Sequence, residues 1–172
     1  LVKLLDSPSP EARLGACQAL AQLKGRAAPA LPALRKTLRA DDLWLRIKAA
    51  DALAAIGKPA MEVVPELLGL MAKVDRQSDP RGMQQRYLAF ALFDPRDGML
   101  GRSLEGVDRE ALYQAVRAGL RNDDGRARGS IGSVYRHLSA KEIEPLLPAI
   151  LQAVVESSPS GEMFADGIRI EG

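Results

Sequence analysis

The chain is poor in the side chains that most often carry chemistry. In 172 residues it has one cysteine, one histidine and one tryptophan, and aromatics make up 4%. A lone Cys17 excludes an internal disulfide and a cysteine-based metal cluster. No apolar run reaches the roughly 18 residues that a membrane span requires, and no signal peptide is visible. The chain therefore reads as soluble. An initiator methionine is missing as well, so a leader upstream stays open and the compartment is unassigned. Charge of one sign is not in large excess: the formal net charge is +2, which excludes a polyanion binder acting through the whole molecule. What is present is 47% apolar residues, mostly Ala and Leu, a mix that favours helix over sheet. The length suits one compact domain or one segment of a helical array.

A single ungapped shift lays "ARLGACQALAQLK" (12–24) on "LRIKAADALAAIG" (45–57). The same shift lays "LPALRKTL" (31–38) on "VPELLGLM" (64–71), so Pro32 meets Pro65. With Arg13 or Arg46 as position zero, apolar residues fall at −1, 3, 6, 7 and 10, one stripe of a helix. A short turn follows near Lys24-Gly25 and Gly57-Lys58, where glycine can take the left-handed conformation that ends a helix. A second helix then opens with proline in its first turn, where the missing N–H has no partner to lose. Two looser units place Arg86 and Arg128 in the same slot, and a fifth begins at Arg169. The spacing predicts an all-α, right-handed solenoid of about four helix pairs. They span about 6–38, 39–73, 79–121 and 123–156, with a partial helix at 1–5 and a partial repeat at 162–172. One pair alone cannot bury both its stripes, so the pairs must stack. Both ends fall inside a unit, which reads as a segment of a larger protein.

On these residues, the Asp-rich turn, the Arg at position zero, the Ala-rich stripe, the terminal Ile/Leu-Gly and the opening proline, the chain resembles HEAT repeats. The short type first noted in phycobilisome lyases is the most similar, and residues 80–170 resemble a HEAT segment of large bacterial proteins. The resemblance implies a non-catalytic module for protein interaction or scaffolding, whose partner is another protein or a neighbouring domain of the parent chain. It implies no cofactor. It also leaves open nucleic-acid binding, because a HEAT-like DNA glycosylase family uses the same kind of surface, and an accessory role beside an enzyme, as in the lyases.

The site candidates follow from the register. Cys17 shares its slot with Ala50, Phe90 and Gly132, and so reads as a packed small residue. His137 shares a slot with Gln22 and Ala55 and reads as a solvated helix residue. No triad joins the two. Asp41-Asp42 and Asp123-Asp124 precede helices and are expected to cap them. Arg13, Arg46, Arg86 and Arg128 are expected to be structural, pairing with those aspartates. Basic second helices offer partner contacts: Arg35 and Arg39 (with Lys36) on one, Arg117 and Arg121 (with Arg109) on another. Glu62 and Glu66 on the intervening second helix, and Glu142 and Glu144 on the fourth, interrupt that stripe, which weakens the phosphate-backbone reading. Trp44, before the second unit, is a further contact candidate.

The stretch "DPRDGMLGRSLEGV" (94–107) lengthens one connection beyond the usual few residues. It reads as an insertion loop, either packed on itself or presenting Arg96 and Arg102 to a partner. Its acidic spacing matches a calcium loop poorly, with Gly98 one place early and Arg96 where an oxygen ligand belongs. In "RNDDGRARGSIGSVYRHLS" (121–139), Gly129 and Gly132 lie mid-helix, without the Lys-Ser/Thr of a phosphate loop. They are expected to form a packing notch for Tyr87, Phe90 or the 94–107 loop.

Overall fold

A computed structural model describes residues 1–123 and 125–155. Asp124, Arg169 and the partial repeat at 162–172 lie outside the described residues. Among the described residues the fold is all-α, a repeat of helix pairs without strands. The chain divides into two compact units, Leu1–Val64 and Pro65–Gly172, and each is described on its own.

In the first unit, α1 (Pro10–Leu23) and α3 (Leu43–Ile56) are the first helices of two successive pairs, and they lie against each other. Ala16, Cys17 and Leu20 on α1 and Ala49, Ala50, Ala52 and Leu53 on α3 are buried. Small side chains on both helices let their axes approach closely. Ser9 caps α1 by accepting from Ala12 N–H at 3.1 Å, and Asp42 caps α3 by accepting from Leu45 N–H at 3.0 Å. The cap at α3 is thus Asp42, while its neighbour Asp41 is exposed.

The connections that the sequence reads as short turns are 3-10 segments, Lys24–Ala30 and Lys58–Val63. Pro29 and Pro59 remove backbone donors there, which disfavours a continuous α-helix across the corner. The 3-10 stretch leads straight into α2 (Leu31–Thr37), and the next leads into α4 (Val64–Ala72); Pro32 and Pro65 are the second residues of those helices. The left-handed turn of the first pair falls on Lys24 (φ 51°, ψ −135°), not on Gly25. Its counterpart in the next pair is Gly57 (φ 74°, ψ −133°), where glycine takes the strain away.

In the second unit, α5 (Met83–Phe93) packs on α7 (Gly125–Gly132), and α6 (Arg109–Leu120) packs on α5 and α7. A 3-10 segment, Ser133–His137, continues α7. The chain then forms α8 (Ala140–Ile143), a 3-10 turn at Glu144–Leu146, and α9 (Leu147–Val155), which packs on α6. Ser139 and Glu142 close a capping box at α8. Gln84 and Gln85 donate from α5 to the carbonyls of Leu70 (3.2 Å) and Met71 (3.1 Å). Those carbonyls, at the C-terminal end of α4, have no intrahelical partner. This accounts for a buried glutamine in a slot that is apolar in the other units.

The expected notch at Gly129 and Gly132 is not where the structure packs tightly. A Cβ built on either glycine meets nothing within 4 Å. They fall in the last turn of α7, which gives way to 3-10 geometry after Gly132, as two helix-weakening residues in one turn favour. The crowded glycine is Gly119 of α6, where a Cβ would collide with Met71 Cε and lie 2.6 Å from Ile131 Cδ1.

Candidate functional site

The ends of α1, α2 and α3 in the first unit enclose an open cleft of about 850 Å³. The last turn of α2 brings Arg35 and Lys36 to it, and Arg39 follows at the start of the turn into α3. Arg13, from the first turn of α1, also lines it. Asp6, Asp41 and Asp42 also line the cleft, so cations exceed anions by one, 4 against 3. Two of these anions are engaged: Asp42 caps α3, and Asp6 pairs with Lys36 at 2.8 Å. The Lys36–Asp6 pair is largely exposed, which limits its worth to a fraction of about 1 kcal/mol. Arg35 and Arg39 stand exposed at the rim.

The two helix-start arginines of the first unit, Arg13 and Arg46, use the same bond. Arg13 Nη1 donates to the Ser7 carbonyl at 3.0 Å, and Arg46 Nη1 donates to the Ala40 carbonyl at 2.7 Å, each six residues back. Arg46 also reaches the Asp41 carbonyl at 2.9 Å. These arginines brace the turn before their own helix through its backbone. Arg128, nearly buried, donates to the Ala153 carbonyl at 3.4 Å, and Arg86 is half-buried on α5.

The remaining sequence candidates do not line this cleft. Trp44 sits on the first turn of α3 with 44% of its surface exposed. Arg117 on α6 donates to the Pro145 carbonyl at 3.1 Å, with its guanidinium 6.0 Å from the Tyr113 ring. Arg121 follows α6 and is exposed. Arg109 is not part of a basic stripe. Its Nε pairs with Glu142 Oε1 at 2.8 Å, and its Nη1 donates to the carbonyls of Leu104 and Val107. The Arg109 guanidinium, together with the capping-box bonds from Ser139, lowers the Glu142 carboxyl to about 2.

The 94–107 stretch is packed on the end of α5. Asp94 Oδ1 accepts from the N–H groups of Arg96 and Asp97, and Leu100 and Leu104 are buried. Gly98 and Gly101 pass so close to the Asp94 backbone that neither has space for a Cβ. Ser133 donates to the Phe93 carbonyl at 2.5 Å, and His137 Nε2 lies 3.2 Å from the Gly101 carbonyl. His137 is thus half-buried against the loop rather than solvated. Arg96 and Arg102 are exposed and joined by a bond from Arg102 Nη2 to the Arg96 carbonyl at 3.3 Å. The Asp94 carboxylate serves the backbone, and no group of three His, Cys, Asp or Glu side chains able to hold a metal occurs among the described residues.

Two polar residues escaped the sequence reading. Buried Asp79 accepts from the N–H groups of Met83 and Gln84, both at 2.8 Å, and so caps α5 from outside the helix. Buried Asn122 donates to the Gly82 carbonyl at 2.9 Å. Gly82 has φ 61°, and a Cβ there would meet Asn122 Nδ2 at 2.5 Å, so that position needs glycine. The Asp-Pro turn before α5 was the available signal for Asp79; Asn122, distant from its partner along the chain, left none.

Cys17 is fully buried, and burial pushes its thiol up to about 11. No helix among the described residues is long and apolar enough to cross a membrane. A family model for HEAT repeats matches residues 1–81. No curated protein matches the chain, and neither does any solved structure.

Proposed function

Residues 1–81 are HEAT repeats, and from that premise we propose that the chain is a non-catalytic protein-binding module whose contact site is the basic cleft of the first unit. HEAT repeats generally mediate protein–protein interaction or scaffolding. The carrying observation is the convergence of Arg13, Arg35, Lys36 and Arg39 on one open cleft. A partner segment rich in Asp or Glu fits it. Guanidinium groups at the rim take carboxylates in two-pronged hydrogen bonds, and the 850 Å³ opening accepts several side chains of an extended peptide.

Fluorescence anisotropy with a labelled ten-residue Asp/Glu peptide and with a labelled 20-base-pair duplex tests the reading. At low salt the peptide should bind, and the double variant Arg35→Ala/Arg39→Ala should weaken it about tenfold or more, as two charge-assisted contacts imply. Binding of the duplex without the peptide, with the steep salt dependence of phosphate contacts, would replace this reading by nucleic-acid binding.

A further inference from the structure

The basic cleft of the first unit already holds a carboxylate, and the chain itself supplies it. Asp6 ends the 3-10 segment Val2–Asp6, and Lys36 Nζ on α2 donates to its Oδ1 at 2.8 Å. Both side chains line the cleft. The ungapped shift that lays Pro32 on Pro65 also lays Asp6 on Arg39. The slot that carries a cation at the rim therefore carries an anion one unit earlier, and that anion reaches α2 of the next unit. Helix capping does not account for Asp6, because Ser9 caps α1 and Asp42 caps α3. With 75% of the lysine side chain and 67% of the aspartate side chain exposed, the pair is screened by water and adds little to the fold. It can open without disturbing the helices on either side.

We propose that Asp6 is a built-in competitor for the cleft, holding Lys36 in the free protein and giving it up when an acidic segment binds. This rests on the reading of the cleft as a site for such a segment. The Lys36–Asp6 bond is the contact that an Asp or Glu of a partner would make there. An ammonium has three donors, but a second carboxylate beside the first is repelled by it, so one displaces the other. The consequence is selection by charge density. An isolated carboxylate meets the arginines at the rim and leaves the ion pair closed. A run of acidic residues supplies a further carboxylate that takes Lys36 over from Asp6.

Fluorescence anisotropy of the 172-residue chain with the labelled ten-residue Asp/Glu peptide, at fixed low salt, tests this through a double-mutant cycle. Asp6→Asn keeps the side chain's shape and should tighten binding about two- to fivefold, the range that an exposed ion pair supplies. In a Lys36→Ala background the same change should tighten it less than about twofold, since no cation remains to be released. Asp41→Asn removes the same charge from the cleft without freeing Lys36, and should act equally in both backgrounds. Circular dichroism should show every variant folded. If the peptide binds and Asp6→Asn has no effect, or the same effect with and without Lys36, the competitor is overturned while the cleft reading stands. If the peptide binds neither the wild type nor Asp6→Asn, the cleft reading itself falls and the competitor with it.

Discussion

Lys24 occupies a backbone conformation that its counterpart, Gly57, takes with glycine. The two end α1 and α3 at the same repeat position, with ψ of −135° and −133° and φ of 51° and 74°. Each donates its own N–H back into the helix, to Ala21 and Ala54 respectively, so the helix-ending bond does not depend on the side chain. A residue with a Cβ held in this region costs of order 1–3 kcal/mol. Glycine recovers that strain, but it loses about 0.5–1 kcal/mol more backbone entropy on folding. The lysine side chain is exposed, so its removal sacrifices little packing. Lys24→Gly should therefore stabilise the protein by about 1 kcal/mol, raising Tm by roughly 2–4 °C for a chain of this size. Gly57→Ala should lose a comparable amount. Urea titrations at fixed temperature with a common m-value measure both changes. If Lys24→Gly destabilised the protein, or if Gly57→Ala were neutral, the strain argument would be refuted.

Glycine positions provide a second contrast: Gly129→Ala, with open space around it, should stabilise by about 0.5–1 kcal/mol through helix propensity, whereas Gly119→Ala, where the ends of the Met71 and Ile131 side chains must shift to admit a methyl group, should gain less than Gly129→Ala; thermal melts compare the two. Glu142 has a folded pKa of about 2 against an ordinary 4.5. Its contribution is complete above about 4.5 and disappears as pH falls through about 2. Urea unfolding of wild type and Glu142→Gln across pH 6 to 2 should show the wild-type advantage shrinking over that window; a difference independent of pH would contradict the Arg109 pairing. Cys17, fully buried and with its thiol raised to about 11, should react with a thiol reagent only as fast as the protein opens. Labelling in the native state at the rate of a free thiol would contradict its burial.

The helix pairs were legible because their signals are local. Ala16, Leu20, Ala49 and Leu53 repeat at helical spacing, and Pro32 and Pro65 mark the second helices from within one turn. The geometry between pairs was not. Gly129 and Gly119 are both glycines inside helical patterns, and only the tertiary neighbours Met71 and Ile131 show which of them is crowded. Arg109 looked like its surface neighbours Arg117 and Arg121 because its partner, Glu142, lies on a different helix, well separated along the chain. Arg35 and Arg39 were read as second-helix contacts. Their meeting with Arg13 in one cleft depends on how α1 turns back along α3, which no spacing along the chain encodes. The 3-10 corners were missed for another reason: Pro29 and Pro59 signal interruption, but not which alternative geometry replaces the α-helix.

The bonds from Arg13 and Arg46 to backbone carbonyls bear on how this repeat can drift. Ser7 and Ala40 occupy the same slot and differ in every side-chain property that matters for hydrogen bonding, yet each presents the same acceptor. A brace that grips the main chain asks only one thing of the turn, that it keep its length. Turn composition is therefore left to vary from unit to unit while the helix start stays anchored. Units related in this way lose letter-by-letter likeness faster than they lose shape, and the shared architecture outlasts the resemblance that would reveal it.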